Sequence, residues 1–283
     1  MVDSLQRMTI SEIQSTGLGI LKSIHLFCAE HGIRYSVYGG TMLGMIRHGG
    51  FIPWDDDIDL AMPRPDYERF IKMYFDDRGG YRLFCYELGN SYLPYARVCE
   101  MNKTLVTSEN LPWTPYESGV WVDVFPLDGA SDDFSLAEKK MLYLKKQLEH
   151  LNDYRLSKGT SFFKKTNWHY RKRFLLSKLF FLRNRQIKPE DICPGIIEVS
   201  KETPFGSTKH FCNYSFVNFG MREYQGVEQF DSLVLKPFED TDLYCISNHD
   251  EHLRNKYGDY WVLPPENERK GHGGYKFYWK IAR

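Results

Sequence analysis

The sequence predicts an α+β fold in which a mixed β-sheet is flanked by helices. Apolar residues recur at helical spacing near the N-terminus, and short apolar runs then alternate with helical patterns up to about residue 130. The stretch from Ser135 to about Arg185 is short of glycine and proline and has a helical pattern. A chain of 283 residues is long enough to bury a substantial core.

Composition and charge exclude several classes of protein. The chain has 37 Lys and Arg against 37 Asp and Glu, so its net charge gives no reason to expect nucleic-acid binding. Its six cysteines have no C-x-x-C spacing, which predicts reduced thiols rather than a zinc ribbon or a redox pair. The N-terminal segment MVDSLQRMTI does not resemble a secretory signal, and the longest near-apolar run, FLLSKLFFL, is too short to cross a membrane. We therefore expect a cytoplasmic protein.

The predicted elements begin with an amphipathic helix. Thr9 and Glu12 form a capping box, and apolar residues continue at helical spacing to about His31. Four elements follow: the strand IRYSVYGG, the helix TMLGMIRH, the strand IDLAM, which Pro63 and Pro65 end, and the helix DYERFIKMYF. Three further strands are then predicted, at YRLFCYE, YARVCE and VWVDVFPLD.

The middle of the chain is basic and aromatic. Between Tyr154 and Pro189 the sequence has eleven Lys or Arg and no Asp or Glu, with aromatic residues interleaved. Three interpretations stay open: a solvated helical hairpin with its aromatic residues packed inward, a surface that contacts an anionic membrane, and an RNA-binding surface. No nucleic-acid motif supports the last of these, and we expect no nucleic-acid partner.

An acidic cluster precedes one predicted strand in the segment GGFIPWDDDIDLAMP. Side chains alternate along a strand, so Asp57 and Asp59 project to the same side and repel each other. A hard divalent cation, Mg²⁺ or Mn²⁺, would relieve that repulsion, and Asp123 on a neighbouring strand would complete the site. The alternatives are a solvated acidic loop and, for Asp123, a buried hydrogen-bonded acid.

A glycine turn lies upstream of the acids. Gly39, Gly40 and Thr41 fall between a predicted strand and a predicted helix, where backbone N–H groups can bind phosphate oxygens. Most such pairs of glycines are only turns. A carboxylate trio with a divalent cation and a phosphate-binding turn is nevertheless an arrangement suited to phosphoryl transfer.

The segment YGGTMLGMIRHGGFIPWDDDIDLAMPRPDYERF closely resembles the signature of the LicD/fukutin family of the nucleotidyltransferase superfamily. Later segments, LKPFED, YGDYW and LPP, also resemble blocks of that family. The resemblance implies a DNA-polymerase-β-like core. We expect a catalytic core over 1–133, a basic aromatic helical region over 134–189, and a mixed α/β region over 190–283 that completes the site.

The resemblance also implies an activity. Such enzymes transfer a phospho-alcohol, such as phosphocholine from CDP-choline or ribitol phosphate from CDP-ribitol, onto a sugar hydroxyl of a surface glycan or its lipid-linked precursor. In that reading Asp57, Asp59 and Asp123 hold the metal, and the diphosphate lies at Gly39, Gly40 and Thr41. Arg47 and His48 are weaker candidates for phosphate contacts.

Two other functions stay open at this point. A nucleotidyltransferase that makes an NDP-alcohol or NDP-sugar would use the same acids and release pyrophosphate. A non-catalytic glycan-binding protein would retain the scaffold alone. The identity of the alcohol, the acceptor sugar and the oligomeric state are not predicted.

Overall fold

A computed structural model describes residues 5–74, 80–107, 117–158, 168–183, 189–271 and 274–280. Its helices are α1 (Ile10–His31), α2 (Gly39–His48), α3 (Arg64–Met73), α4 (Phe134–Lys158), α5 (Trp168–Arg183), α6 (Pro189–Lys201) and α7 (His249–Tyr257). Its strands are β1 (Gln6–Arg7), β2 (Ser36–Val37), β3 (Asp59–Pro63), β4 (Tyr81–Phe84), β5 (Ala96–Glu100), β6 (Thr104–Thr107), β7 (Trp121–Ala130), β8 (His210–Cys212), β9 (Gln225–Gly226), β10 (Leu233–Phe238), β11 (Thr241–Ile246) and β12 (Lys276–Trp279).

The N-terminal helix has the predicted cap. The Thr9 hydroxyl accepts a hydrogen bond from the Glu12 backbone, and the Glu12 carboxylate accepts one from the Thr9 backbone. A cap of this kind contributes about 1 kcal/mol to helix stability. The apolar stripe of α1 includes Ile20 and Ile24, which are fully buried in the main core. The capping box and the helical spacing therefore predicted both ends of α1.

The largest sheet is mixed and flanked by helices, which confirms the predicted fold class. Its path is β2-β3-β7-β5-β4, and β8 and β9 extend it from the C-terminal end of β7. Strands β3 and β7 are parallel, whereas β2, β5 and β8 pair antiparallel with their neighbours. All ten residues of β7 are buried. This strand lies at the centre of the sheet and positions acids at both of its ends.

Residues from both halves of the chain form the main core. Strand residues such as Leu60 and Val122 share it with Phe211, Phe238 and Leu243 from the C-terminal part. A second core lies between α4, α6 and the strand β8. The division of the chain at 133 and 189 stays a prediction, and the C-terminal part supplies core residues to the N-terminal part.

The β10–β11 hairpin fixes the loop that leads into the acidic segment. At its turn, the Glu239 N–H donates to the Gly49 carbonyl over 3.1 Å, and the Glu239 carboxylate accepts from the Phe51 N–H over 2.9 Å. Glu239 has a positive φ of 54°. The LKPFED segment that resembled a family block thus holds a loop close to the candidate site.

The basic region contains two antiparallel helices, α4 and α5, that pack on each other. Phe174 is buried in this pair, but Trp168, Leu175 and Leu179 are exposed. Residues 159–167 and 184–188 of the region lie outside the described residues. The prediction that the aromatic residues of this region pack inward is therefore confirmed for Phe174 and wrong for Trp168. Across the described ranges, no helix combines the length and the apolar character needed to cross a bilayer.

Candidate active site

The first two strands of the site bring Asp59 and Asp123 side by side. Asp59 begins β3 and is the direct Cα partner of Asp123 on the parallel strand β7. The Asp123 N–H donates to the Ile58 carbonyl over 2.8 Å. Because the strands are parallel and in this register, the two carboxylates lie at the same edge of the sheet.

Asp57 lies two residues before β3 begins, rather than within the strand. The peptide at Asp55 donates to the Ile52 carbonyl over 2.9 Å, so the chain is still in a turn there and β3 begins only at Asp59. Burial raises the pKa of the Asp57 carboxyl well above its usual range, and the charges of Asp59, Asp55 and Asp123 raise it further. Four aspartates therefore converge here, with Asp55 added to the three that the sequence predicted.

The glycine turn lies against these carboxylates. Gly39 has a φ of +53°, and a Cβ at this position would come within 2.7 Å of the Asp59 carboxylate. A Cβ on Gly40 would come within 2.8 Å of the Asp55 carboxylate. The positive φ of Gly39 favours glycine there, and at Gly40 a side chain would displace the Asp55 carboxylate.

Thr41 connects the turn to the strand. Its hydroxyl accepts a hydrogen bond from the Asp59 N–H over 2.9 Å, and the Tyr38 N–H donates to the Asp59 carbonyl over 2.9 Å. Thr41 is buried, whereas Gly39 and Gly40 line the cavity described below. The role of Thr41 in holding phosphate stays a prediction, and its observed contact fixes the start of β3 against α2.

A cavity of about 320 Å³ opens between the glycine turn and the acids. The side chains of Asp55, Asp57 and Asp59 form its acidic wall. The cavity is also lined by aromatic, basic and amide residues, several of them far along the chain: Trp54, Phe125, Phe216, Asn218, Phe219, Lys256, Tyr257 and Lys270. A cavity lined by both aromatic and polar residues is typical of a site for a small ligand.

A buried ion pair holds the far wall in place. Lys256, only 2% exposed, lies 2.7 Å from the Glu223 carboxylate, and the Tyr38 hydroxyl donates to the same carboxylate over 2.5 Å. The Lys256 ammonium also lies 4.0 Å from the centre of the Tyr38 ring. Because Tyr38 directly precedes the glycine turn, the contacts among Lys256, Glu223 and Tyr38 connect α7 to that turn.

The contact between Arg97 and Asp123 was not predicted from the sequence. Arg97 on β5 holds Asp123 by two hydrogen bonds, from Nε to Oδ1 over 2.7 Å and from Nη2 to Oδ2 over 2.9 Å. The Trp121 indole donates to Oδ2 over 3.2 Å, and the Arg97 guanidinium lies 4.3 Å from the Trp121 ring. No sequence signal marked Arg97, because its role depends on the register of β5 against β7.

The acids fit a divalent cation in part. Asp55, Asp57 and Asp59 are hard oxygen donors whose mutual repulsion a cation would relieve, as the raised pKa of Asp57 indicates. Both oxygens of Asp123 accept hydrogen bonds from Arg97, and its Oδ1 keeps a further lone pair that a cation could use. In the described ranges, no three acidic, histidine or cysteine side chains are already arranged around a metal position.

Arg47 and His48 lie at the opposite end of α2 from the glycine turn. The Arg47 guanidinium donates to the Tyr260 carbonyl over 2.7 Å and to the His48 ring over 3.0 Å. Burial and the charge of Arg47 lower the pKa of His48. Neither residue lines the acidic cavity, and their contact with phosphate stays a prediction.

The fold and site define an α+β protein with a carboxylate-lined cavity behind a glycine turn. Residues 32–84 match the family model described as the nucleotidyltransferase domain of LicD, FKTN and FKRP. This match includes the glycine turn, Asp55, Asp57, Asp59 and β3, but not Asp123.

Similarity to one relative extends over nearly the whole chain. The lipopolysaccharide cholinephosphotransferase LicD of Haemophilus influenzae is 27% identical over 279 residues, which are 95% of this chain and 97% of that protein. The human ribitol 5-phosphate transferase FKRP is 55% identical over 31 residues, 11% of this chain and 6% of that protein. An uncharacterized Rickettsia typhi protein is 36% identical over 67 residues, 23% of this chain and 22% of that protein. The chain is thus similar to this nucleotidyltransferase domain over residues 32–84 and to a cholinephosphotransferase over nearly its whole length.

Proposed function

We propose that the protein is a metal-dependent transferase that moves phosphocholine from CDP-choline to a sugar hydroxyl of a surface glycan or its lipid-linked precursor. The observation that carries the proposal is the convergence of Asp55, Asp57 and Asp59 on the glycine turn at Gly39 and Gly40. The near-full-length similarity to a cholinephosphotransferase supports the choice of a phospho-alcohol over a nucleotidyl group.

The transfer forms one bond and breaks one. The acceptor oxygen bonds to the phosphorus that carries choline, the bond from this phosphorus to the oxygen of CMP breaks, and CMP leaves with the electron pair. The hydroxyl proton passes to a carboxylate or to water. CMP therefore appears in the same amount as the new phosphodiester, whereas nucleotidyl transfer from CTP would release pyrophosphate.

The acids, the glycine turn and the basic residues that line the cavity would each have a role in this reaction. Asp57 and Asp59, with Asp123, would hold Mg²⁺ or Mn²⁺, which would neutralise phosphate oxygens as charge moves onto them. The backbone at Gly39 and Gly40 begins α2, and helix N-termini favour anionic groups. Lys270 also lines the cavity and supplies positive charge there.

The aromatic wall supports choline as the alcohol. Trp54, Phe216, Phe219 and Tyr257 line the cavity within reach of a ligand at the acids. A quaternary ammonium is attracted to the faces of aromatic rings, whereas ribitol has no such charge. Ribitol phosphate therefore ranks second as the transferred group.

The experiment is a thermal-shift titration with CDP-choline, CDP-ribitol, CTP and UDP-sugars, each in Mg²⁺ and in EDTA. A ligand at 100 times its Kd stabilises the folded state by about 2.7 kcal/mol. We expect CDP-choline to raise the melting temperature in Mg²⁺ and not in EDTA. Stabilisation by CTP alone would favour the nucleotidyltransferase, and no response to any nucleotide would favour a glycan-binding role. Asp59→Asn is the variant in which the response should disappear.

We also propose that α5 places the enzyme on the anionic cytoplasmic face of a membrane, where a lipid-linked acceptor is found. Its outward face exposes Trp168, Leu175 and Leu179, at 70%, 45% and 64%. The helix also carries five Lys or Arg and no acid. Apolar side chains beside basic ones suit an anionic lipid surface.

Vesicle flotation tests this surface. The double variant Leu175→Glu/Leu179→Glu should no longer float with phosphatidylglycerol vesicles. The double variant Leu26→Glu/Leu88→Glu is the matched control, because both side chains are exposed outside α5, at 67% and 50%, and their replacement should have no effect. Equal loss in both variants, or equal flotation with phosphatidylcholine vesicles, would contradict the proposal.

A further inference from the structure

The acidic loop, residues 49–57, is held by side chains from two distant parts of the chain. Its main chain turns between Ile52 and Asp55, where the Asp55 N–H donates to the Ile52 carbonyl over 2.9 Å. The Gln14 side chain on α1 donates to the same Ile52 carbonyl over 3.1 Å and to the Asp55 carbonyl over 3.0 Å. One amide from α1 therefore connects both ends of the turn that brings Asp55 to the acidic cavity.

The β10–β11 hairpin holds the start of the same loop. The Glu239 carboxylate accepts from the Phe51 N–H over 2.9 Å, and the Glu239 N–H donates to the Gly49 carbonyl over 3.1 Å. The carboxylate lies so close to Gly50 that a Cβ there would clash with it. The Phe51 ring also packs edge-on against Phe238 of β10, with 4.8 Å between the ring centres. The hairpin thus contacts three consecutive residues of the acidic loop.

Glu239 makes these contacts from a backbone conformation that favours glycine. It is the first of the two residues that connect β10 to β11, and its φ is 54°. In two-residue hairpin turns, a positive φ at this position is usually taken by glycine. Backbone strain of this kind is concentrated at functional sites. What a glutamate adds over glycine here is the carboxylate that accepts from Phe51, which points to a role for that carboxylate.

The acidic loop needs anchors because it brings like charges together. Asp55, Asp57 and Asp59 line one cavity. Carboxylates at short range repel one another, and this repulsion favours an open loop when no cation is bound. Contacts that hold the loop in place beforehand reduce the conformational entropy that is lost when a cation binds.

Resting on the proposed function, we propose that Glu239 and Gln14 are positioning residues that hold the main chain of the acidic loop in the shape that receives the divalent cation. Neither side chain lines the acidic cavity, so both act through the acids and not on the substrate. Loss of either anchor should therefore weaken Mg²⁺ binding more than it weakens the fold.

Three substitutions in the hairpin turn isolate the carboxylate. Glu239→Gly removes it and introduces the residue that the positive φ favours, so the free energy of unfolding in EDTA should change little. Glu239→Gln loses the same charge but keeps an oxygen that can accept from the Phe51 N–H. Asp240→Gly makes the same kind of change at the next position, where the side chain forms an exposed ion pair with Lys22 of α1. Gln14→Met removes the other anchor without touching the hairpin.

Melting temperatures across a Mg²⁺ series give the apparent affinity of each variant for the cation. We expect roughly tenfold weaker binding in Glu239→Gly and in Gln14→Met, the effect of losing hydrogen bonds of ordinary strength. Glu239→Gln and Asp240→Gly should bind as the wild type does. Equal affinities in Glu239→Gly and Asp240→Gly, equal weakening in Glu239→Gln and Glu239→Gly, or wild-type affinity in Gln14→Met would each overturn the proposal.

Hydrogen exchange in EDTA separates this proposal from the proposed function, because it needs no metal. We expect faster exchange across residues 49–57 in Glu239→Gly than in the wild type, Glu239→Gln or Asp240→Gly. If exchange follows this order but the wild type responds neither to Mg²⁺ nor to CDP-choline, the proposed function fails and the anchoring of the loop stands. Unchanged exchange in Glu239→Gly, beside a CDP-choline response in the wild type, overturns the anchoring alone.

Discussion

Both ends of strand β7 carry an aspartate that a buried arginine holds by two hydrogen bonds, but the surroundings differ. At the C-terminal end Arg64 binds Asp128 over 2.7 and 2.6 Å, and the Cα partner of Asp128 on β8 is Cys212. At the N-terminal end Arg97 binds Asp123 over 2.7 and 2.9 Å, and its Cα partner on β3 is Asp59. The same pair of side chains is thus a structural contact at one end and part of an acidic cluster at the other.

The difference lies in what surrounds each carboxylate. Asp128 is 1% exposed and forms an ion pair with Arg64. The charge of Asp123 contributes to the raised pKa of Asp57, so it belongs to a group of acids with excess negative charge. An arginine–aspartate contact alone therefore does not reveal function, whereas the number of further acids around it does.

The largest effect expected is on stability, and it is common to both ends. Arg64→Met and Arg97→Met each leave a buried carboxylate without its countercharge, which destabilises a protein by about 3–5 kcal/mol. Urea unfolding in EDTA measures the free energy of unfolding of both variants. A loss below about 1 kcal/mol at either end would show that the carboxylate is not held as described.

The next largest effect is on catalytic activity, and it should differ between the two ends of β7. Asp123→Asn should lower the rate of CMP release from CDP-choline at least about 100-fold, because a metal-bound carboxylate contributes several kcal/mol to transition-state stabilisation. Donor binding should change less than turnover. Asp128→Asn should instead lower stability and keep the activity of the folded fraction. Equal loss of donor binding and turnover in Asp123→Asn would assign Asp123 to structure.

A smaller effect concerns the response to metal. Arg97→Met removes a positive charge and two hydrogen bonds from Asp123, so Mg²⁺ should stabilise this variant by about 1–2 kcal/mol more than it stabilises the wild type, as a roughly tenfold gain in affinity implies. Arg64→Met should respond to Mg²⁺ as the wild type does. Melting temperatures across a Mg²⁺ series test this, and an identical response in both variants would remove Asp123 from the metal site.

The smallest effect concerns Asp57 and pH. Burial, and then the charges of Asp59 and Asp55, raise the pKa of Asp57, so the folded state favours its protonated form and is penalised when it ionises. In EDTA, Asp57→Asn should therefore be more stable than the wild type by about 0.5–2 kcal/mol near pH 8. This advantage should shrink as the pH falls through the raised pKa toward the ordinary value, about 4. An advantage that stays constant or grows in acid would contradict the crowding of carboxylates.

Sequence patterns predicted the N-terminal part of the site well because its elements are local. The capping box at Thr9, the glycine turn at Gly39 and the apolar strand after Asp59 each depend on neighbouring residues. The sequence also predicted Asp123 on a strand beside the acids, whereas the register that makes it the direct partner of Asp59 is seen only in the structure.

The remaining parts of the site depend on contacts between distant segments. Arg97 reaches Asp123 only because β5 pairs with β7 in one register. Lys256 and Tyr257 line the cavity more than 190 residues after Asp59. The segment YGDYW, which begins at Tyr257, was a signal that could have found them, but spacing alone does not show which cavity it faces.

The most direct test of the account is the reaction itself. Purified protein is incubated with choline-labelled CDP-choline, Mg²⁺ and lipopolysaccharide, and CMP and labelled glycan are both measured. The account predicts equal amounts of CMP and phosphocholine-bearing glycan, with neither product in EDTA or with Asp59→Asn. No CMP from CDP-choline or CDP-ribitol, together with pyrophosphate from CTP, would contradict it.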